Sequence, residues 1–388
     1  MSEWKKVKLG EICEITSSKR CHASERSSDG VPFYCSKEII QLDKGEVIHH
    51  CDYIPVDLYE NIKVKFGVPS TGDLLLTTRG TNGIPYIYKE SDYFYFADGN
   101  LSWFKNFTND TDVRFLYYWF KSHEGKHIID SIAKGTAQKA VPIEGLKNIE
   151  ILAPSYTIQH RIATILSRYD SLIENYQKQI KLLEEAAQRL YKKWFVDLHF
   201  PGHETTKIVD GVPEGWEKKK VGDLIAKVQR SRQVPANKYL KTGNIPVIDQ
   251  SRNYIAGYTN DSECMVDVTT PYIVFGDHTR VLKYIPFSFA KGADGTQLIM
   301  SNDLKRMPQS LFYVSLIGID LSNYSYARHF KYLKEEAILV PSVSIATSYD
   351  NVVSRYYHSI QNNRDNICLL TEARDRLLPK LMSGEIEV

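Results

Sequence analysis

This chain has little that points to redox, metal or membrane chemistry. Its six cysteines, Cys13, Cys21, Cys35, Cys51, Cys264 and Cys368, include no CxxC pair. Neither a zinc site nor a disulfide framework is expected, and the thiols are read as reduced and partly buried. No apolar run precedes Trp4, and no stretch of about 18 apolar residues occurs. The expectation is a protein neither exported by a signal peptide nor spanning a membrane. Catalytic signatures are equally scarce. There is no GxxxxGKS/T phosphate loop, no GxGxxG after a predicted strand, no NPPY- or DPPY-like tetrapeptide, no HExxH and no GxSxG. His49-His50 beside Cys51 lacks a spaced partner for a metal. An excess of one charge is also missing: 49 Lys and Arg face 47 Asp and Glu, for a net +2. That excludes a polycation but leaves room for a local basic face.

What is there is ordinary in bulk and unusual in arrangement. Hydrophobic residues make up 43% and charged residues 25% of 388, which suits a soluble globular protein of two or three domains. Twenty-five tyrosines suit either binding surfaces or sheet and core packing. The arrangement is a restart. "EWKKVKLGEI" begins at Glu3 and "GWEKKKVGDL" at Gly215, with Trp4 six residues before Gly10 and Trp216 six before Gly222. A longer echo aligns without a gap: Ala153–Trp194 overlies Val340–Leu381. Pro154 meets Pro341, Ser167-Arg168-Tyr169 meets Ser354-Arg355-Tyr356, and Arg189-Leu190 meets Arg376-Leu377. The chain reads as a tandem duplication of a globular head followed by a helix.

The helices show heptad seams. In the first, Ile162, Leu166, Tyr169, Ile173, Tyr176, Ile180, Leu183, Ala187, Leu190 and Trp194 step by four and three. In the second the seam is Tyr349, Val353, Tyr356, Ile360, Asn363, Ile367, Leu370, Arg374, Leu377 and Leu381. Asn363 and Arg374 are polar on it. They either lie buried and set register, or face solvent at a splayed end. A helix from Ile162 to Trp194 would be about 50 Å long. A parallel partner would require the chain to return that whole distance, so an antiparallel pair is expected, with the heads at its two ends. The expected boundaries are a first head at 1–152, a helix at 153–197, a Pro- and Gly-rich linker at 198–215, a second head at 216–340 and a second helix at 341–388.

The heads read as mixed α/β, from short apolar runs such as "GDLLLTTRG" and "PYIVFGDH" between turn signals. "RFLYYWFKS" from Arg114 and "SLFYVSLIG" from Ser310 read as short helices. Asp98-Gly99 is paired with Asp294-Gly295, and Leu146-Lys147 with Leu333-Lys334. Basic and hydrogen-bonding residues cluster in loops of both heads. The first has Lys19 and Arg20, then Thr78, Arg79, Thr81 and Asn82, then Lys134, Thr136, Gln138 and Lys139. The second has Arg230 and Arg232, Gln250 and Arg252, His278, Thr279 and Arg280, and Tyr326 with Arg328. Such side chains read base edges or hold phosphates; singly, they are also what solvated loops contain.

"PEGWEKKKVGDL", "LAPSYTIQHRIATILSRYDSLI" and the terminal "LLPKLMSGEIEV" resemble the signatures of the specificity subunit of type I restriction-modification systems. "GDLLLTTRGT" and "NIPVIDQSRNYIAGYTN" resemble that family's target-recognition domains. The resemblance covers essentially the whole chain. One departure is that Gln159, Arg161 and Ile162 are answered in the second helix by Ala346, Ser348 and Tyr349. The resemblance implies two α/β target-recognition domains joined by two long helices in an antiparallel coiled coil. Each head would read one half of a split site in double-stranded DNA. It also implies a cytoplasmic, non-catalytic subunit without a cofactor or metal of its own. The helices would dock modification (methyltransferase) subunits bringing S-adenosylmethionine, and through them restriction (translocase-nuclease) subunits bringing ATP and magnesium. Tyr191, Trp194 and Phe195, the aromatic end of the first helix, are the candidate patch for the modification subunit; the other reading is that they close the coil against the neighbouring head. Two rivals stand beside this: a DNA-modifying or DNA-cleaving enzyme acting alone, and a coiled-coil adaptor whose heads bind protein.

Overall fold

The computed structural model describes residues 4–135, 139–228, 231–292, 295–324 and 328–388. They fall into two compact units, Met1–Asn175 with Ile367–Val388, and Tyr176–Asn366. The sequence-based boundaries treat the helical regions as segments of their own. The compact division cuts both helices instead, so each unit holds one head and one end of each helix. Burial explains it. In the first unit Ile162, Ala163 and Leu166 share a core with Phe115, Trp119, Leu378 and Leu381. In the second, Ala346, Tyr349, Val353 and Ile360 share one with Leu311, Phe312 and Val314. Each head therefore buries its apolar face on the helix turns nearest to it.

The long helices are Tyr156–Tyr191 and Val343–Met382. Every seam position expected on either helix is buried or half-buried, whereas off the seam Leu182 and Leu369 are more than 60% exposed. The pairing is antiparallel within each unit. In the second, the Asn363 amide donates to Gln179 (3.2 Å) and the Tyr349 hydroxyl to the Ala187 carbonyl (3.2 Å), so residue numbers rise on one helix as they fall on the other. In the first, Arg374 meets Asp170 at 2.6 Å. Of the polar seam residues, Asn363 is thus buried and Arg374 half-buried, and both are paired. The first helix ends in a widened π turn at Lys192–Val196, which turns Phe195 inward. The expected linker is structured too: Phe200 is buried with its ring 4.7 Å from that of Trp216, and Ile208–Val209 pairs with Val212–Pro213 as a hairpin.

Each head contains two small sheets and a ribbon. The first head's ribbon pairs Lys5–Lys8 with Glu150–Ala153. Its antiparallel sheet runs in the order Glu14–Thr16, Leu101–Lys105, Leu74–Thr77, Pro85–Ile87. Its other sheet sets Val31–Tyr34 parallel to Tyr95–Phe96, with Asp52–Ile54 on the far side. The second head repeats the plan. Its ribbon is Glu217–Lys220 with Ala337–Val340. Leu282–Ile285, Tyr272–Gly276 and Thr296–Ile299 form the antiparallel sheet. The other sheet sets Ile245–Ile248 parallel to Phe289–Lys291, flanked by Gly257–Thr259 and Met265–Val266. The two expected short helices form, at Val113–Lys121 and Gln309–Ile317. The first head adds a helix the sequence reading did not anticipate, His123–Ile132.

The registers test the paired landmarks. Leu146-Lys147 and Leu333-Lys334 do correspond: both leucines are buried, and Gly10 and Gly222 lie against Lys147 and Lys334. In the other landmark, Asp98-Gly99 with Asp294-Gly295, Asp294 lies outside the described residues. Thr77 pairs with Leu101 and Gly276 with Thr296, so the residue facing the next position is Asn100 in one head and Gly295 in the other. Ladder geometry, not letter identity, sets that match, and it places Gly295 where the first head has Asn100.

The repeated glycine has a packing cause. A Cβ on Gly10 would stand 3.0 Å from the Lys147 Cβ, and one on Gly222 would stand 3.1 Å from the Lys334 carbonyl. Gly10→Val and Gly222→Val are each expected to destabilise the chain by about 1–3 kcal/mol through overpacking. Denaturant unfolding of the full chain measures this; wild-type midpoints for both variants would contradict the close approach.

Candidate nucleic-acid interface

In the first head, Leu74–Thr77 is buried along its length, and the loops at one end of its sheet carry the basic residues. Thr78 continues the strand. Its amide donates to the Asn100 carbonyl (2.8 Å) and its carbonyl accepts from the Val141 amide (2.9 Å). Thr78 is itself only 3% exposed, so its side chain supports the loop from beneath and does not join the outer face expected for it. Arg79, the next residue, is exposed and bridges to Ala140. Ala140 exchanges two backbone hydrogen bonds with Lys134, of 2.8 and 2.9 Å, and the Asn82 amide donates to the Lys139 carbonyl at 3.3 Å. These bonds bring Arg79, Thr81, Asn82, Lys134 and Lys139 together. Thr136 and Gln138 lie outside the described residues.

Ser36 joins the same loop end, donating to the carbonyls of Arg79 (3.3 Å) and Asn100 (3.1 Å). A lone serine at the first position of the helix Ser36–Asp43 gave no sequence signal of this. The loop after Glu14–Thr16 reaches the region as well. The Gly99 amide donates to Ser17, and Arg20 donates to Asp98 at 2.8 Å. Arg20 therefore arrives paired with a carboxylate, while remaining 67% exposed. The Lys19 ammonium sits 5.2 Å from the Phe66 ring centre.

The second head builds the same end differently. Asp277 occupies the place of Thr78. Its amide donates to Gly295 (2.7 Å), and its carbonyl accepts from the His329 amide (3.0 Å). Its carboxylate accepts from the Phe330 amide (2.8 Å). The turn beyond it is closed by the Arg280 amide donating to the Gly276 carbonyl (2.8 Å). Arg280 takes a left-handed φ of 62° there, and its guanidinium donates to the Leu321 carbonyl. Gln250 is drawn in from the other sheet. Its side-chain oxygen accepts from the His278 amide (3.1 Å) and its carbonyl from the Thr279 hydroxyl (2.6 Å). Arg252 is exposed two residues on, and Arg328 is exposed immediately before His329.

Gln250, Arg252, His278, Thr279, Arg280 and Arg328 thus share one loop end. Arg232 does not join them through any bond described. It pairs with Glu263 (2.6 Å) and Asp261 (3.6 Å), two carboxylates with no signal in the sequence reading. Arg230 and Tyr326 lie outside the described residues. What both loop ends offer is exposed cationic and amide groups on a hydrogen-bonded frame, which suits phosphates and base edges.

The aromatic patch at the end of the first helix is mostly interior. Phe195 is 4% exposed. The rings of Tyr191, Trp194 and Phe195 lie 6.5, 5.9 and 5.2 Å from that of Tyr349, and Phe195 also packs on Trp216. Burial pushes the Tyr191 phenol up to about 12. These side chains close the helix end within their own unit, because three large apolar rings are more stable against Tyr349 than in water.

Gln159, absent from the second half, also has a local task. It accepts from the Asp112 amide (3.1 Å) and donates to the carbonyls of Asp110 and Pro154. The second unit places Ala346 there, fully buried, and uses Arg306 to hold the carbonyls of Pro341 and Val340. Among the described residues, no group of three metal-ligating side chains occurs, and no helix is long and apolar enough to cross a membrane.

Residues 1–185 match the family described as "Type I restriction modification DNA specificity domain". The type I restriction enzyme MjaIX specificity subunit of Methanocaldococcus jannaschii is 28% identical over 82% of this chain and 78% of its own length. The HindI specificity subunit of Haemophilus influenzae is 23% identical over the full length of both. In fold, the chain is similar to the S subunit of a type I restriction-modification system from M. genitalium. The TM-score is 0.63 at 16% identity, over 98% of this chain and 96% of that one.

Arg79→Ala and Arg252→Ala are each expected to weaken binding to double-stranded DNA. A lost base contact would cost about 1–3 kcal/mol and relax preference at one position; a lost phosphate contact would weaken all sequences alike and flatten the salt dependence. Anisotropy titrations at several salt concentrations separate the two. Unchanged affinity and slope in both variants would remove these loops from the interface.

Proposed function

Because the chain belongs to the family of type I restriction-modification specificity subunits, we propose that each of its heads reads one half of a bipartite DNA site. The family's specificity subunits are non-catalytic, so the chemistry falls to partner chains. On this reading the modification subunits, carrying S-adenosylmethionine, dock on the long helices. Restriction subunits carrying ATP and magnesium join through them, and the complex works in the cytoplasm. Double-stranded DNA lies across the loop ends. Arg79, Lys134 and Lys139 contact it from the first head, and Arg252, His278 and Arg328 from the second.

The observation that carries this reading is the repeated loop end. Two heads of divergent sequence turn the same sheet end into an exposed polar and cationic rim, each anchored by one buried residue, Thr78 or Asp277. A protein-binding adaptor has no need to build such a rim twice. The differing loop residues suit two different half-sites, since sequence is read by the side chains that reach base edges.

The test is a head exchange. Replacing Trp4–Ile149 with the first head of another specificity subunit, in complex with the cognate modification subunit, is expected to change one half of the methylated motif. The other half should persist. Methylome sequencing reads the result, and a swap that alters both halves together would contradict separate readers.

A further inference from the structure

The second head carries a buried lysine next to its rim. Lys283, in the strand Leu282–Ile285, is 4% exposed. Its ammonium donates to the carbonyls of Asp249 (2.8 Å) and Asn253, and stands 3.9 Å from the Asp249 carboxylate. Those carbonyls bracket the loop that carries Gln250 and Arg252. One cation thus ties the two sides of the loop from below.

Above it the loop is held again. The Gln250 carbonyl accepts from Thr279, and the Ser251 amide donates to Asp249. Just past the bracket, the Tyr254 hydroxyl donates to the Tyr284 carbonyl (2.7 Å), and the Arg364 guanidinium lies 3.8 Å from the Tyr254 ring centre. The loop therefore has a fixed floor and a fixed exit, and Gln250 to Arg252 span the interval between them.

A lysine is a costly choice for a core strand. Burial pulls its amine down to about 8, with Asp249 only partly offsetting this, and an isolated charge there would be unfavourable. The strand itself does not require it. Val274 pairs with Lys283, and the corresponding Leu75 of the first head pairs with Tyr86. Tyr86 donates to Asp92 instead of to a rim loop. The lysine is thus a device of the second head alone, and what it contacts is the backbone of a rim loop.

We propose that Lys283 is a positioning residue for DNA readout: by clamping the Asp249 and Asn253 carbonyls it holds Gln250 and Arg252 in the conformation in which the second head reads its half-site. This rests on the heads being DNA readers, as proposed above. Lys283 itself does not touch DNA. Its removal should degrade selectivity in one half of the site and leave the other half intact.

The experiment uses the full chain with its cognate modification subunit, methylating random-sequence DNA. Lys283→Met keeps the apolar stem and removes the donors. It is expected to lower discrimination within the second head's half-site by about 5- to 150-fold, corresponding to the 1–3 kcal/mol of a base contact, with the first head's half unchanged. Hydrogen exchange should rise in residues 249–253. Lys283→Arg, which keeps cationic donors, should recover most of the discrimination. An unaltered motif with Lys283→Met, or equal relaxation of both halves, would overturn the proposal.

If Lys283→Met does not fold, Lys283→Leu, which also lacks donors, gives the same reading. Should neither fold, the lysine holds up the head as a whole, and the specific role is refuted. A wild-type complex with no bipartite preference would instead sink the underlying assignment of the heads.

Discussion

Two apolar seams must be covered, and in each unit they cover one another while the head seals their outer side. This burial organises everything else. Because the helices pair antiparallel, the start of the first helix meets the end of the second, so residues 367–388 belong with residues 1–175 although they lie far apart in the chain. The heads bury large side chains on the same turns. Phe115 and Trp119 do so in one unit, Leu311 and Phe312 in the other. Fully burying one such side chain is worth about 1.5–3 kcal/mol, so losing the helix ends would strip each head of much of its core.

Polar groups on the seam then decide alignment. Asn363 with Gln179, Arg364 with Glu184 and Arg374 with Asp170 all pair across the two helices. Their net contribution to stability is small, since desolvation offsets attraction. Burial raises the Glu184 carboxyl even with Arg364 beside it. Their effect is selective. A shift of one heptad would separate the partners of each pair and leave their hydrogen bonds unmade.

The loop ends follow from the sheets. A strand buried along its whole length, such as Leu74–Thr77, presents its first exposed residue only after it leaves the sheet, and that residue is Arg79. The two heads share ladders and differ in the anchor, Thr78 or Asp277, and in the elements gathered around it. One scaffold can thus present different side chains without a change of core, because loop residues carry no part of the sheet pairing.

The sequence alone determined the duplication, the helices and their seams, because heptad spacing and an ungapped repeat are local patterns that survive without coordinates. It also favoured the antiparallel direction, because a parallel pair would require the chain to return the whole length of a helix. The mixed α/β heads and one short helix in each, Val113–Lys121 and Gln309–Ile317, were legible for the same reason. Several features were decided only by tertiary structure. Thr78 looked like a surface threonine beside Arg79, yet pairing with Asn100 and Val141 draws it inside. Arg232 looked like a free cation, yet Glu263 and Asp261 reach it from another strand connection. Tyr191, Trp194 and Phe195 read either as a docking patch or as a closure of the coil, and their contact with Tyr349, more than 150 residues away, is seen only in the fold. Lys283 gave no signal, because a lysine in a strand pattern normally points to water. In each case the deciding partner is distant in sequence and is brought close by packing, and side-chain spacing along the chain carries no record of such a contact.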